Sequence, residues 1–181
     1  MNTGLFEPLQ SLLASSRIEP GRLPAATLLE HSLKCAQAAL DHGAGDILLM
    51  AALFHDIGHA FKSDMDEFGE MPDLDEEHAA LGARYLERFF PQEVCRLIAD
   101  HVEAKRYRAA QGVLPPSLGS RRSLLAQGNA MSPEECRRFE LLPHFSQVLL
   151  LREWDDHCDQ DILQAAPLEA YLPAIGRTRI R

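Results

Sequence analysis

The sequence is short of positive charge. It has 18 lysines and arginines against 27 aspartates and glutamates, which gives a formal net charge of −9. Because an acidic surface does not attract a nucleic-acid backbone or an anionic membrane, neither is expected as a general partner. The charge does not exclude a small anionic substrate in a locally basic pocket.

Long apolar stretches and closely paired cysteines are also missing. No stretch approaches the ~18 apolar residues of a membrane-spanning helix, and the first segment, MNTGLFEPLQSLLASS, lacks a basic region followed by a long apolar one. A cytoplasmic protein is therefore expected. The cysteines are widely spaced with no C-x-x-C pair, which favours buried, reduced thiols over disulfides or a zinc knuckle: Cys35, Cys95, Cys136 and Cys158.

The chain shows no alternating strand pattern, internal repeat, low-complexity tract or glycine-rich phosphate loop. Its 181 residues, 46% of them hydrophobic, suit one compact domain over residues 1–181. Apolar residues recur at helical spacing, so the expected fold is all-α. The predicted helices cover residues 5–15, 25–42, 46–59, 77–90, 92–110, 120–127, 132–142 and 145–158.

Several residues mark helix ends and loops. Gly43 is predicted to cap the second helix, and Ser132 and Pro133 are predicted to begin the seventh as N-cap and first helical residue. Residues 60–77 carry eight carboxylates against one lysine, which predicts a solvated surface loop, with a lid or a metal-capturing segment as the alternative. A second loop, QGVLPPSLGSRR, interrupts the later helices.

The stretch LFHDIGHAF places two histidines and an aspartate inside an apolar run. The segment DILLMAALFHDIGHAF has no proline and only a late glycine, so it predicts a largely buried helix. On that helix His55 and His59 share one face, and Asp56 lies beside them. Burying such groups without partners costs several kcal/mol, so they need hydrogen bonds, a metal or both. For either histidine alone, the alternative to metal binding is a hydrogen-bonded histidine in the core.

Four further candidates lie on other predicted helices. His31 follows a leucine pair, and His78 opens a helix whose small residues allow close packing. His101 and Asp155 each continue an inward apolar stripe. Three histidines are poor candidates, because each lies too far along or around its helix or follows a proline: His42, His144 and His157.

Four imidazoles and two carboxylates from five helices suit two metal ions better than one. One metal cannot use all six groups and keep an open site, whereas two metals can if Asp56 bridges them. A mixed nitrogen and oxygen set favours iron, manganese or zinc over magnesium or calcium. A bridging carboxylate also fits the ~3.5–4 Å separation of paired metals. The predicted ligands are His31, His55, Asp56, His78, His101 and Asp155.

This order of ligands, H…HD…D with two histidines between HD and the last aspartate, resembles the HD-domain superfamily over nearly the whole chain. The resemblance implies an all-α HD-domain helical bundle with a metal site and, most often, a phosphohydrolase. More discriminating segments resemble the mixed-valent diiron oxygenases that cleave organophosphonates: LLEHSLKCAQAA, ALFHDIGH, HVEAKRY, QGNAMSPEECRRFE and LREWDD. That branch implies two iron ions as an Fe(II)/Fe(III) pair, O2 as co-substrate and a small organophosphonate as substrate.

The resemblance also implies roles for single residues. It makes the six predicted ligands iron ligands, with Asp56 as the bridge. It assigns His59, Lys105 and Arg152 to the substrate, as catalytic and substrate-binding groups.

The spacing of the two cations agrees with that assignment. Lys105 lies four residues after His101 and Arg152 three before Asp155, so each cation shares a helical face with a ligand. Two cations beside a metal pair form an anion pocket. The alternative is that both are surface residues or pair with the acidic loop. Further candidate contacts are Ser123, which is equally suited to capping a helix, and Gln127.

One segment departs from that branch. Its members carry a Tyr-x-x-Glu stretch ahead of the first histidine ligand, where this sequence reads EPGRLPAATLLEH, and Gly21 and Pro24 occupy the two positions. In the branch the tyrosine guards an iron position and the acid helps to recognise the substrate amine. The departure predicts an altered amine, such as a trimethylated one, a substrate without an amine, or a group supplied from another segment such as the acidic loop.

Two enzyme classes are compatible with the sequence. The first is a diiron oxygenase that cleaves the C–P bond of a 1-hydroxyalkylphosphonate and releases phosphate and a carboxylic or amino acid. The second is a dinuclear-metal phosphohydrolase, in which an activated water attacks a nucleotide or another phosphoester. A non-catalytic binding domain that kept the metal ligands is a third reading. Metal content after purification without oxygen separates the first two, since iron favours the oxygenase and zinc, manganese or magnesium the hydrolase.

Overall fold

The computed structural model describes residues 27–61, 78–158 and 164–180. These ranges contain helices and no β-strand, which confirms the all-α prediction. The predicted helix 5–15 and most of the acidic loop lie outside them. The α-helices are α1 (Leu28–Asp41), α2 (Asp46–Phe54), α3 (His78–Leu86), α4 (Gln92–Ala110), α5 (Leu118–Ala126), α6 (Pro133–Glu140), α7 (Phe145–His157) and α8 (Leu172–Thr178), and the 3-10 helices are Ile57–Phe61 and Leu168–Tyr171.

Helices α2 and α4 form the centre of the bundle. α2 packs against α1, α4, α7 and α8, while α4 packs against α2, α3, α6 and α7. Every residue of α2 from Leu48 to Phe54 is buried. α4 is amphipathic and buries a stripe that includes Val94, Leu97 and Ile98. Since burying one such side chain contributes ~1.5–3 kcal/mol, these two helices anchor the core into which the polar residues of the motifs project. None of the helices in the described ranges has the length and apolar composition that crossing a bilayer requires.

The two predicted helix ends are confirmed. At the end of α1, Gly43 has φ +68°, its N–H donates to Leu40 O, and the Ala44 N–H donates to Ala39 O. This pair of hydrogen bonds closes the helix as a Schellman motif, which a positive φ at glycine allows. At the start of α6, Ser132 is the N-cap of a capping box and Pro133 the first helical residue.

The segment that carries the HD pair differs from the prediction. A continuous helix over 46–59 is wrong, because α2 ends at Phe54 and the chain continues as the 3-10 helix Ile57–Phe61. His55 and Asp56 therefore lie in the junction between two helices. The reason is a close approach at Gly58, where an added Cβ would lie only 1.9 Å from His78 O. Contact with α3, which no local pattern shows, redirects the chain here.

Two smaller differences concern helix positions. The predicted helix 77–90 is shorter, since α3 ends at Leu86, and α5 begins at Leu118 inside the predicted second loop. No helix was predicted after residue 158, although Leu168–Tyr171 and α8 are helical. Both are short and a proline interrupts the pattern, so the apolar periodicity is too brief to recognise. The four cysteines are free and buried, as predicted.

Candidate metal centre

Six buried polar residues meet at the centre of the bundle. α1 supplies His31, the junction after α2 supplies His55 and Asp56, α3 begins with His78, and α4 and α7 supply one residue each. All six are nearly inaccessible to solvent. They are the six predicted ligands: His31, His55, Asp56, His78, His101 and Asp155.

The six residues form two donor groups that share Asp56. In the first group, His31 Nε2 lies 3.2 Å from Asp155 Oδ1 and 3.7 Å from Asp56 Oδ2, and His55 Nε2 lies 3.6 Å from Asp56 Oδ2. In each group one ligand atom from every member lies within 4.8 Å of the others, and the groups could each hold a metal ion.

The second group lies on the other carboxylate oxygen. His78 Nε2 and His101 Nε2 are 3.5 and 3.3 Å from Asp56 Oδ1. Each oxygen of Asp56 therefore faces a different pair of imidazoles, which is the arrangement that a bridging carboxylate requires. The structure thus brings the six predicted ligands together in two groups that share Asp56.

Backbone hydrogen bonds fix the direction of two imidazoles. His55 Nδ1 donates to Ala52 O at 3.0 Å, and His101 Nδ1 donates to Ile98 O at 2.7 Å. Since a carbonyl only accepts, the neutral ring keeps its lone pair on Nε2, the atom that faces Asp56. Such second contacts orient metal-binding histidines.

The charges of the site hold its carboxylates ionised. Burial alone raises the pKa of Asp56, but His55, His101 and His78 outweigh it and hold that pKa well below its usual range. Burial likewise opposes the ionisation of Asp155, whose pKa is held low mainly by Arg152. Burial lowers the pKa of His101 to about 4, so this imidazole stays neutral near pH 7. The stability that the two carboxylates contribute is present above the pKa of an unfolded carboxyl group and is lost as pH falls through their lowered values.

The spacing of the nitrogen atoms fits metal ions. His31 Nε2 and His55 Nε2 are 3.2 Å apart, as are His78 Nε2 and His101 Nε2. Two imidazoles bound to one cation at ~2.1 Å and near right angles place their nitrogens about 3 Å apart. Converging lone pairs beside a carboxylate repel one another unless a cation or proton lies between them. The donor set is therefore suited to a dinuclear metal site.

Three of the predicted substrate contacts meet one turn from His101. Lys105 Nζ donates to Ser123 Oγ at 2.9 Å and to Gln127 Oε1 at 2.8 Å, and only 6% of Lys105 is exposed. Lys105 is therefore not a surface residue. Ser123 does not cap α5, because Ser117 is the N-cap.

The other two predicted substrate residues flank the donor groups. The ring of His59 stacks on that of His78 at 4.0 Å between centroids, and its side chain is 23% exposed. Arg152, 2% exposed, places Nη1 2.5 Å from Asp155 Oδ2 and pairs through Nη2 with Asp156 Oδ1. Arg152 is thus also buried, and its nearest anions are two carboxylates of its own helix.

Some contacts of the site were not predicted. Cys158 Sγ lies 3.5 Å from His31 Nδ1, behind the first donor group. Asp156 holds Arg152, and the adjacent acidic pair in LREWDD is the only signal that could have marked it. The three histidines judged poor candidates lie in neither donor group: His42 and His157 bond to backbone carbonyls of their own helices, and His144 Nε2 lies 2.6 Å from Asp100.

Known proteins resemble this chain over most of its length. The chain is 36% identical over 172 residues to hydroxymethylphosphonate dioxygenase of Gimesia maris, covering 93% of this chain and 83% of the relative. It is 36% identical over 154 residues to 1-hydroxy-2-(trimethylamino)ethylphosphonate dioxygenase (glycine-betaine-forming) of Leisingera caerulea, covering 83% and 78%. An uncharacterized protein of Acanthamoeba polyphaga mimivirus is 34% identical over 151 residues, covering 80% and 68%.

These similarities confirm the predicted enzyme class and the predicted family. The named relatives are dioxygenases, which are oxidoreductases, so the chain is an oxidoreductase enzyme that resembles the phosphonate-cleaving oxygenases. The family model described as HD domain matches residues 28–138, more than half of the chain, and contains five of the six clustered residues. On this match, the chain belongs to the HD domain family.

Proposed function

We propose that this chain is a diiron oxygenase that uses O2 to cleave the C–P bond of a 1-hydroxyalkylphosphonate, releasing phosphate and a carboxylic or amino acid. The observation that carries the proposal is the pair of donor groups on Asp56, in a chain whose named relatives are phosphonate dioxygenases. Nitrogen and oxygen donors without thiolate suit iron. When bound as an Fe(II)/Fe(III) pair, the two irons would supply the activation of O2.

The two donor groups would have different roles, because they differ in the number of protein ligands. The first offers four residues and the second three, with Asp56 common to both. The second group therefore has fewer protein donors and leaves more positions for the hydroxyl and phosphonate oxygens of a substrate. Besides Asp56, its ligands would be His78 and His101. Of the predicted substrate residues, His59 stacks on the ring of His78, and Lys105 lies one turn of α4 after His101.

The cations would bind and orient the phosphonate. Lys105 donates to two neutral oxygens, of Ser123 and Gln127, which fix the position of its ammonium group. Arg152 offers a planar fork of donors that suits a phosphonate face. Charge-assisted hydrogen bonds from both are stronger than neutral ones and set the direction of the C–P bond.

The reaction class follows from the chemistry of the bond. A C–P bond gives water no good leaving group, so its cleavage requires oxidation of the carbon that bears the hydroxyl. In the overall reaction the C–P and carbinol C–H bonds break, the carbon becomes a carboxyl group, phosphorus becomes phosphate, and O2 is reduced by the electrons of the substrate alone. A phosphoester has an oxygen leaving group and needs only an activated water.

The names of the relatives narrow the choice of amine on the substrate. One is named for hydroxymethylphosphonate, which has no amine, and the other for a trimethylated amine. Both agree with the expectation drawn from Gly21 and Pro24, which lie outside the described residues. We therefore propose a substrate that lacks an unmodified amino group.

The test is to supply iron-loaded protein with 1-hydroxyphosphonates and phosphoesters, with and without oxygen, and to measure O2 uptake and phosphate together. The panel contains hydroxymethylphosphonate, the trimethylamino and amino 1-hydroxyethylphosphonates, a nucleotide and p-nitrophenyl phosphate. The Asp56→Ala variant, purified identically, controls for a contaminating phosphatase. Stoichiometric O2 uptake and phosphate release with a phosphonate is the expected result. Equal phosphate release from a phosphoester without oxygen would instead establish the hydrolase.

A further inference from the structure

The thiol of Cys158 lies between the two ligands that α1 and α7 give to the first donor group. Its Sγ is 3.5 Å from His31 Nδ1, and its S–H donates to Asp155 O at 3.7 Å. Cys35, one turn after His31 on α1, hydrogen-bonds to the same thiol. Cys158 itself is buried. One buried sulfur therefore contacts the side chain of one ligand and the main chain of another.

His31 differs in this respect from two other imidazoles of the centre. His55 and His101 donate through Nδ1 to backbone carbonyls that lie three residues earlier in the chain. An acceptor of that kind is in place as soon as the local helix forms. The Cys158 thiol lies 127 residues after His31, so it meets the imidazole only when α1 packs against α7. The contact behind His31 thus depends on tertiary packing.

The hydrogen bond between the two residues has one direction when His31 binds a metal ion. His31 Nε2 is the atom that faces Asp155 Oδ1, at 3.2 Å. A neutral imidazole that offers the lone pair of Nε2 carries its proton on Nδ1. The Nδ1–H therefore donates to Cys158 Sγ. Outer contacts of this kind fix the orientation of a ligating ring and raise its basicity.

We propose that Cys158 is a positioning residue for the first metal position and acts on it through His31. The sulfur fixes the plane of the imidazole and the direction of Nε2, and it does not contact the reacting atoms. His78 and His101 face the other oxygen of Asp56, so the second position should not depend on this thiol. The role rests on the proposed function only in that the first donor group holds iron.

The experiment measures iron affinity rather than turnover. Full-length protein is titrated with Fe(II) under nitrogen in competition with a coloured chelator, which yields a dissociation constant for each of two positions. Cys158→Ala is expected to weaken one position about 10-fold and to leave the other within about twofold, since sulfur is a weak acceptor and outer contacts of a ligand contribute ~10–100-fold. Cys158→Ser, which keeps a donor and an acceptor, is expected to recover part of the loss.

Cys95→Ala is the matched control for the loss of a buried thiol. The S–H of Cys95 donates to Phe90 O, and Cys95 belongs to neither donor group. Both iron constants of this variant should equal those of the wild type. A double-mutant cycle then tests the route of the effect. Combined with His31→Ala, Cys158→Ala is expected to change iron binding by no more than about twofold, because the imidazole that it orients is gone.

Four results would each overturn the proposal: equal weakening of both positions in Cys158→Ala, unchanged constants in that variant, the same loss in Cys95→Ala, or no iron binding by the wild type. If the expected pattern holds while no phosphonate consumes O2, the proposed function fails and the role of Cys158 stands. Phosphonate oxidation by the wild type together with unchanged iron constants in Cys158→Ala would give the reverse conclusion.

Discussion

At the level of a single residue, Asp56 joins the two donor groups, which could each hold a metal ion. Its two oxygens face different imidazole pairs, and it is the one residue that the two donor groups have in common. A carboxylate has two oxygens in fixed geometry, which is why one aspartate can join two positions that separate histidines could not. Burial raises the pKa of Asp56, but His55, His101 and His78 lower it further. The carboxylate is therefore anionic, as a bridge between two metal positions requires.

Asp56→Ala is expected to empty both metal positions. Losing even an outer-shell partner costs 10–100-fold in metal affinity, so losing the shared ligand should cost at least ~100-fold at each position. Metal content of protein purified without oxygen is the measurement. His42→Ala is the control, because His42 is exposed, lies in neither donor group, and has its ring near Ala38 O and the Trp154 ring. Equal metal loss in the two variants would contradict the assignment.

The residue scale also shows what spacing can predict about Lys105 and Arg152. Their spacing from His101 and Asp155 places each on a ligand-bearing helical face, and both are indeed buried. Their actual partners were not predicted in full, because Asp156, Ser123 and Gln127 reach them through the packing of helices. Whether these two residues bind substrate stays a prediction.

At the scale of elements, the close contact between the 3-10 helix Ile57–Phe61 and α3 positions the second donor group. Gly58 lies against the backbone of His78, and Gly82 lies against Gly58 in turn. Two residues without side chains thus bring the HD segment and the first turn of α3 together. This contact also explains why the predicted helix stops early, since a continued α-helix would hold the two backbones apart.

Gly58→Ala is expected to push α3 away and to weaken the His78 position. A Cβ at residue 58 would meet His78 O at 1.9 Å, and overpacking of this kind costs ~1–3 kcal/mol. Urea unfolding and metal content measure the two effects. Gly176→Ala on α8 is the matched control, because an added Cβ there has no atom within 4 Å and helix propensity favours alanine by up to ~1 kcal/mol. Wild-type stability together with full metal content in Gly58→Ala would rule out the close contact.

At the scale of the molecule, five segments of the bundle converge on one charged centre. The clustered histidines and carboxylates occupy space that apolar side chains fill elsewhere in the core. Such a centre is stable only when cations or protons balance the converging lone pairs and charges. Metal binding and folding should therefore be linked.

Loading with iron is expected to raise the unfolding temperature of the whole domain. Free metal at about 1,000 times its Kd stabilises the folded state by ~4 kcal/mol, which for a chain of this size corresponds to roughly 10 °C. Thermal unfolding followed by circular dichroism without oxygen, before and after iron loading, measures the shift. Asp56→Ala should show almost none of it. An unchanged unfolding temperature in the wild type would mean that the donor groups do not bind the metal.

The sequence by itself determined the helical class, most helix positions and the residues that cluster. Helical periodicity shows which face of a segment points inward, so polar residues on an apolar face, such as His31, His101 and Asp155, were identified without any structure. The residue types near the helix ends were also enough to predict the end of α1 at Gly43 and the start of α6 at Ser132, because capping depends on neighbours in the chain.

Only the tertiary structure decided how these residues pair. The break after Phe54 depends on His78, twenty or more residues further along the chain, and each oxygen of Asp56 selects its imidazoles through the packing of α1 against α2 and of α3 against α4. The ion pairs of Arg152 with Asp155 and Asp156, and of Asp156 with Arg108, likewise link α7 to α4. Contacts of this kind depend on the angle and depth at which helices pack, and a periodicity reports the direction of a face but not the partner it meets.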